Sequence, residues 1–323
     1  MPASSNKATR GPTMQNALKK FEEWGIRRRS ERNRRNAERR RRLASTLGIE
    51  DADAALDLST LQMGEMVGQG GFSIVYLCRL VDGRDAVAKV IKGGLSPSDT
   101  LLLRNEIAIW SRLSHPNLLS FIGTALGTDT CAIICEYCSG GSLYERHRQN
   151  LQLGKPPLGR DALVGQLVQV ARGMEYLHSL RPHPVLHRDL KSHNILVAHD
   201  GRLVVADFGL ARFHVTANAA EMTAETGSYR WMAPEVIRHE PYDERCDVYS
   251  FGVLGWEMVT YSIPFLHQTP VQVHAPARAA STRCAFFCTQ KLLGFELDAD
   301  DIKDIEKTLR VKYCGQSGLY GAC

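Results

Sequence analysis

The stretch that decides the fold is VLHRDLKSHNIL, residues 185–196. Eighteen residues after Asp189 comes Asp-Phe-Gly, at 207–209. Ala-Pro-Glu follows at 233–235, so Glu235 lies 28 residues beyond Asp207. Three short motifs in this order and at these spacings exclude a chance occurrence.

A glycine run lies N-terminal to these motifs. It reads GQGGFSIV, residues 68–75, and contains Gly68, Gly70 and Val75. Glycines allow backbone N–H groups to approach a phosphate closely. Taken alone, the run is equally well explained as an ordinary hairpin turn, and Ser73 stands where a third glycine would complete GxGxxG.

Lys89 ends an apolar strand twenty-one residues after Gly68. A lysine in that position is ordinarily a solvated surface residue. Glu106 follows seventeen residues later, in a segment with helical periodicity. A Lys–Glu pair joining a strand to a helix would hold the amine against the phosphates of a nucleotide.

The sequence resembles the eukaryotic protein kinases. Residues 187–194 match the catalytic loop HRDLxxxN of that family without a gap, and the other two motifs match its DFG and APE. The segment GSYRWMAPE, residues 227–235, is similar to the GTxxWMAPE signature of tyrosine-kinase-like enzymes of the mixed-lineage and Raf types. Those enzymes mostly phosphorylate serine and threonine, and Lys191 also follows the serine/threonine pattern. The resemblance implies a serine/threonine kinase acting on protein substrates in signalling.

The resemblance also implies catalytic roles. Asp189 would accept the proton of the substrate hydroxyl, and Lys191 would contact the γ-phosphate. Asn194 and Asp207 would hold Mg²⁺, which prefers hard oxygen ligands. The four residues expected to be catalytic are Lys89, Glu106, Asp189 and Lys191.

An ATP site follows from the same resemblance. Lys89 would hold the α- and β-phosphates, and residues 136–138 would form the hinge against adenine. The residues expected to line this site are Gly68, Gly70, Val75, Lys89, Glu136, Cys138 and Leu196.

Arg188 precedes Asp189, and kinases with this arginine are commonly switched on by phosphorylation between DFG and APE. Thr216, Thr223 and Thr226 lie in that interval. We expect an upstream kinase to act on Thr223 or Thr226. The alternative is that all three are ordinary solvated hydroxyls.

The fold class is predicted to be α+β, with a β-rich N-lobe and a helical C-lobe that looks incomplete. Strand-like segments dominate up to residue 136, interrupted by one helix over TLLLRNEIAIWSRL, residues 100–113. We place Leu102, Ile109 and Leu113 on one face of that helix, with Leu103 and Ile107 beside them. After residue 141 the pattern becomes mostly helical, and LVGQLVQVARGMEYLH, residues 163–178, carries an apolar stripe. The helix that contains Asp247 would brace the catalytic loop.

Three regions differ in composition. Residues 1–57 form an Arg-rich extension, residues 58–273 the kinase domain, and residues 274–323 an atypical tail without the further helices of the family. Ten arginines and two glutamates give residues 27–42 a charge of +8, against +5 for the whole chain. A solvated, partly helical linker, a nuclear import signal and contact with acidic lipid remain open for this stretch. Nucleic acid is disfavoured, because no aromatic residues interleave with the arginines.

The composition fits a globular protein of 323 residues, with 44% hydrophobic and 23% charged residues. No apolar run is long enough to span a membrane, and no secretory leader is evident. Nine cysteines without repeated spacing favour reduced thiols over a zinc site. We expect a cytoplasmic protein, with the Arg-rich stretch leaving a nuclear location open. A catalytically inactive ATP-binding regulator remains the alternative to an active kinase.

Overall fold

The structure is a computed structural model that describes residues 14–49, 55–69, 73–91, 96–156, 158–207, 212–213 and 228–266. A six-stranded sheet and two helices come first along the chain, and a mainly helical part follows. The predicted α+β class, with a β-rich N-lobe before a helical C-lobe, is confirmed. Among the described helices, none is long and apolar enough to cross a membrane.

The N-lobe sheet has six strands: β1 (Leu56–Asp57), β2 (Gln62–Gln69), β3 (Ser73–Arg79), β4 (Asp85–Ile91), β5 (Phe121–Leu126) and β6 (Cys131–Glu136). Their order across the sheet is β1-β5-β6-β4-β3-β2. Neighbouring strands are antiparallel except β1 and β5, which run parallel.

The register of this sheet aligns three predicted site residues. Gly68 pairs with Val75 across β2 and β3, and Val75 pairs with Lys89 across β3 and β4. Lys89 in turn pairs with Ile133 on β6. Because directly paired residues point to the same face of a sheet, the side chains of Val75, Lys89 and Ile133 lie on one face, and Gly68 lies beside Val75. Ile133 belongs to the large hydrophobic core on that side.

Helix α2 (Pro97–Trp110) begins with a capping box, in which the Ser96 and Asp99 side chains each accept from the other residue's backbone N–H. The buried face of α2 consists of Leu103, Glu106, Ile107, Ile109 and Trp110. The predicted face was partly wrong, because Leu102 is exposed and Leu113 lies beyond the helix. Leu103, Ile107 and Trp110 recur at the helical spacing and form the buried stripe. Glu106 lies on the same face and is therefore buried too.

The C-lobe contains four helices and two small strand pairs within the described residues. Strand β8 pairs with β9, and β7 pairs with β10. The elements are α3 (Leu143–Gln152), α4 (Arg160–Ser179), β7 (Val185–Leu186), β8 (Ile195–Val197), β9 (Leu203–Val205), β10 (Arg212–Phe213), α5 (Pro234–Ile237) and α6 (Arg245–Thr260). The predicted stripe of α4 is confirmed, since Leu167, Val170, Ala171, Met174 and Leu177 are all buried.

The Arg-rich segment is part of a long helix, α1 (Met14–Leu47). Its arginines are mostly exposed, but its last turn is buried at Ala44 and Leu47. Helix α1 packs against α2 and β5. The end of the Arg-rich extension therefore contacts the N-lobe instead of running free.

Helix α4 approaches the segment before β5 very closely at Gly173. A Cβ atom at this position would lie 2.7 Å from the carbonyl oxygen of Asn117. That oxygen accepts a hydrogen bond of 2.9 Å from Val205 N–H, so it is fixed in place. Only glycine allows this contact, which brings α4 against the end of β9.

Gly173→Ala is therefore expected to lower the free energy of unfolding by ~1–3 kcal/mol, because the added methyl overlaps a fixed backbone atom. Gly165→Ala, in the same helix, is the matched control. A Cβ at Gly165 meets nothing within 4 Å, so this change should raise the free energy of unfolding by ~0.5–1 kcal/mol. Urea unfolding followed by circular dichroism measures both, and equal stability of the two variants would contradict the packing described here.

Candidate active site

Asp247 of α6 holds the catalytic loop through hydrogen bonds to its backbone. One carboxylate oxygen, Oδ1, accepts from Arg188 N–H at 2.8 Å, and Oδ2 accepts from His187 N–H at 2.9 Å. His178, at the end of α4, donates from Nε2 to the same Oδ2 at 2.8 Å. Burial of Asp247 opposes its ionisation, but the hydrogen bond and charge of His178, the charge of His187 and the Arg188 amide together outweigh it and lower the pKa of this carboxyl. The predicted bracing role of Asp247 is confirmed.

This bracing accompanies an unusual backbone conformation. Arg188 has a φ of 69°, a left-handed value that a non-glycine residue adopts only at a cost. The two hydrogen bonds to Asp247 hold the peptide groups on either side of His187 in that turn. His187 itself donates from Nε2 to the carbonyl of Ala206 at 3.0 Å and accepts from Asp189 N–H at Nδ1. The loop is thus tied to the residue that immediately precedes Asp207.

Asp189, Lys191 and Asn194 converge. The ammonium of Lys191 lies 2.8 Å from Oδ2 of Asp189 and 3.0 Å from Oδ1. Asn194 Nδ2 donates to Oδ2 of Asp189 at 2.9 Å and to the Asp189 carbonyl at 2.8 Å. The carboxylate is therefore held in one orientation by two side chains from a single short turn.

Lys89 and Glu106 form the predicted pair between the sheet and α2. Lys89 Nζ lies 2.7 Å from Oε1 of Glu106, and 3.9 Å from Oδ1 of Asp207. Burial of Lys89 favours its neutral form, but the negative charges of Glu106 and Asp207 outweigh this and raise the pKa of Lys89. Lys89 is therefore a fixed cation between the two lobes.

The hinge residues are placed differently from one another. Glu136 ends β6, and its carboxylate pairs with Arg202 at 2.9 Å and accepts from Ser120 Oγ at 2.9 Å. Both carboxylate oxygens of Glu136 are thus already hydrogen-bonded within the protein. The backbone of Glu136 is therefore the part that would contribute to a nucleotide site. Cys138 is buried, and its carbonyl accepts from Gly141 N–H. Leu196, half-buried on β8, packs against the core near this turn.

A second buried acid lies under the catalytic loop. Glu257 of α6 accepts from Ser192 Oγ, from Ser192 N–H at 3.4 Å and from Trp231 Nε1 at 3.0 Å. Trp231 also accepts from Ser250 through its carbonyl at 2.7 Å. Glu257 therefore links the catalytic loop to the segment that precedes α5.

The donor set near Lys89 fits a magnesium ion. The amide nitrogen of Asn194 is engaged with Asp189, so its remaining oxygen, Oδ1, is the atom suited to a cation. Asp207 adds a half-exposed carboxylate. Two hard oxygen ligands are what Mg²⁺ takes from a protein when substrate phosphates and water complete its shell.

Several predicted residues lie outside the described part of the chain. These are Gly70, Phe208 and Gly209, the three threonines 216, 223 and 226, and the tail from 274 onward. The predictions for these residues remain predictions.

Sequence reasoning missed His178 and Glu257. Glu257 carried a usable signal, because it is a lone acid between Trp256 and Met258 in an apolar helical segment. A glutamate in such a place is rarely buried without partners. His178 carried none, since a histidine in the last turn of a helix is ordinary capping chemistry.

With this geometry in place, comparison with known proteins identifies the family. Residues 61–291 match the model of the protein tyrosine and serine/threonine kinase family. The chain belongs to this protein kinase family, which confirms the resemblance to serine/threonine kinases of the tyrosine-kinase-like type. The match runs beyond residue 273, where the motifs read from the sequence ended.

Three relatives illustrate the similarity. The probable serine/threonine-protein kinase SIS8 of Arabidopsis thaliana is 39% identical over 224 residues, which are 69% of this chain and 21% of that protein. The serine/threonine-protein kinase TNNI3K of Homo sapiens is 38% identical over 68% of this chain and 26% of its own length. The serine/threonine/tyrosine-protein kinase HT1 of Arabidopsis thaliana is 38% identical over 67% of this chain and 54% of its own. The chain thus matches between about a fifth and about half the length of these relatives.

Glu257→Gln tests the buried acid. Burial is the largest influence and raises the pKa of Glu257 from 4.5 to about 7, although its hydrogen bonds and the charge of Lys191 act in the opposite direction. The folded state therefore keeps a proton that the unfolded chain loses. Consequently the free energy of unfolding should fall as the pH rises from about 4.5 to about 7, by at most ~1.4 kcal/mol per pH unit.

Glutamine mimics the protonated acid, because its amide can donate to Ser192 Oγ while its oxygen accepts from Trp231. We expect the stability of Glu257→Gln, relative to the wild-type protein, to rise across this range in urea unfolding at stepped pH. A constant difference between the two proteins from pH 4.5 to pH 8 would contradict the raised pKa.

Proposed function

We propose that this chain is an ATP-dependent serine/threonine protein kinase that transfers the γ-phosphoryl group of ATP to a protein hydroxyl. The observation that carries the proposal is the convergence of Lys89, Glu106 and Asp207 with the loop bearing Asp189 and Asn194. Phosphoryl transfer needs little covalent chemistry from a protein. It needs positioning and stabilisation of negative charge, and these residue types supply both.

Asp189 is the residue suited to receive the substrate proton. Lys191 and Asn194 both donate to its carboxylate, so the carboxylate is held in one orientation. A hydroxyl bound there would give up its proton as it attacks phosphorus. Lys191, within hydrogen-bonding distance of Asp189, would offset negative charge on the transferred group.

Lys89 is the residue suited to hold the phosphates of ATP. Its pKa is raised, so it remains cationic at neutral pH. Glu106 fixes the position of the ammonium at 2.7 Å. An amine that is already oriented loses little further freedom when a phosphate binds.

Asn194 and Asp207 are the residues that would hold Mg²⁺. When bound, magnesium neutralises charge on the phosphates and supports an in-line displacement. At the other end of the site, Val75, Leu196 and Cys138 provide the apolar and hinge positions proposed for adenine.

Serine and threonine are the proposed acceptors. Lys191 is the residue that supports this choice, together with the printed names of the relatives SIS8 and TNNI3K. The name of HT1 includes tyrosine, so acceptor identity is best determined directly, by phosphoamino acid analysis of a labelled protein substrate.

Asp189→Asn should lower phosphate transfer from ATP to a generic basic protein by about 10²–10⁴-fold, because asparagine cannot accept the substrate proton. Binding of Mg-ATP should survive, since Asp189 is not a proposed ligand of the phosphates. Transfer is measured with radiolabelled ATP and nucleotide binding by thermal stabilisation.

Asp82→Asn is the matched control, because Asp82 is an exposed carboxylate in the turn after β3. It should retain wild-type transfer. Equal incorporation by the wild-type protein and Asp189→Asn would remove the catalytic proposal. Stabilisation of the wild-type protein by Mg-ATP without any transfer would instead favour an ATP-binding regulator.

A further inference from the structure

The end of α1 is built into the hydrophobic core beneath α2. Ala44 and Leu47 are 1% and 2% exposed, in a helix whose preceding arginines are mostly exposed. They belong to the same buried cluster as Leu103 and Ile107 of α2. Leu103 and Ile107, the buried neighbours of Glu106 on α2, thus lie in the same core as the last turn of α1.

The chain ends α1 in a way that fixes this contact. Gly48 has a φ of 67°, and Ile49 N–H donates to the carbonyl of Ala44 at 2.9 Å while Gly48 N–H donates to that of Ser45 at 3.2 Å. This is a Schellman motif, in which a left-handed residue closes the helix and an apolar residue packs back on it. Ile49 does pack against the same core. Arg104 of α2 lies directly over Gly48, since a Cβ there would be 2.5 Å from Arg104 Nε.

Ion pairing holds the other side of the last two turns. Arg40 lies 2.7 Å from Asp57 on β1, in a half-buried pair. Strand β1 pairs with β5, so the sheet, α1 and α2 are joined in a closed ring of contacts. A half-buried pair of this kind contributes more to geometry than to stability.

The consequence concerns Glu106. This carboxylate is 8% exposed and must sit 2.7 Å from Lys89 to orient it. A helix moves as a unit, so a shift of α2 that opened its contact with α1 would draw Glu106 away from Lys89. Trp110, at the far end of α2, is anchored by Nε1 donating to the carbonyl of Leu119 at 2.7 Å. Where α1 contacts α2, at Gly48 and Arg104, no side-chain hydrogen bond among the described residues anchors α2 in this way.

We propose that Ala44 and Leu47, at the end of the Arg-rich helix, are positioning residues that hold α2 where Glu106 reaches Lys89. The proposal rests on the kinase function proposed above, and it adds a role for the N-terminal extension. That extension thus acts on the active site through α2, whatever the exposed arginines contact.

Leu47→Ala is the test variant. It should speed hydrogen–deuterium exchange of the α2 amides and lower kcat/KM for phosphate transfer by about tenfold. Leu80→Ala is the matched control, because Leu80 is a buried leucine of the other N-lobe cluster, on the opposite side of the sheet. It should lower thermal stability by a similar amount without changing α2 exchange. Ser45 is exposed and lies in the last turn of α1, beside Leu47. Ser45→Ala should change neither α2 exchange nor kcat/KM.

A double-mutant cycle with Glu106→Gln separates positioning from general destabilisation. If Leu47 acts through Glu106, the loss from Leu47→Ala should shrink to about twofold or less in the Glu106→Gln background. Multiplicative losses in the double variant, or unchanged α2 exchange in Leu47→Ala, would overturn the proposal.

The exchange measurement does not require catalysis. If the wild-type protein transferred no phosphate, the proposed kinase function would fail. Faster α2 exchange in Leu47→Ala alone would then still support the positioning role, and unchanged exchange would refute it. The two failures are therefore distinguishable.

Discussion

The carboxylate of Asp247 is the constraint on which the rest of the site depends. It is a buried charge, which a protein tolerates only when the charge is fully hydrogen-bonded. Three donors satisfy it here: the amides of His187 and Arg188 and the ring of His178. Those bonds hold Arg188 in its left-handed conformation, and this turn sets the direction in which Asp189 leaves the backbone. Helix α6 thus determines the position of the catalytic loop from within the core.

The same loop is connected to the N-lobe through a short chain of contacts. His187 donates to the carbonyl of Ala206, Asp207 follows in sequence, and its carboxylate faces Lys89 at 3.9 Å. Lys89 is held in turn by Glu106 on α2. Each link is a charge or a polar group whose partner comes from a different element. The site is therefore assembled by packing of the two lobes and of α1, and no single segment contains it.

The sequence predicted which side chains lie together in this site better than it predicted the residues that support them. Motifs fix residue type and spacing, so Lys89, Asp189, Asn194 and Asp207 were identified before any geometry was known. The face of α2 was partly wrong at Leu102, because periodicity alone cannot tell which of two adjacent apolar rows meets the core.

The docking of α1 was not predictable either. Its arginines dominate the composition, and the two residues that pack, Ala44 and Leu47, are too few to form a periodic signal. Glu257 stands out as a lone acid in an apolar segment, but its partners, Ser192 and Trp231, are distant in sequence and could not be predicted.

The most direct test of the central claim, that these residues form one magnesium-dependent nucleotide site, is calorimetric titration of the whole chain with ATP, with and without Mg²⁺. The account predicts saturable binding that tightens about tenfold or more when Mg²⁺ is present, because the ion would neutralise charge on the phosphates beside Asp207. In Asp207→Asn that dependence on Mg²⁺ should largely disappear. Binding that is indifferent to Mg²⁺ in the wild-type protein, or unaltered in Asp207→Asn, would contradict the account.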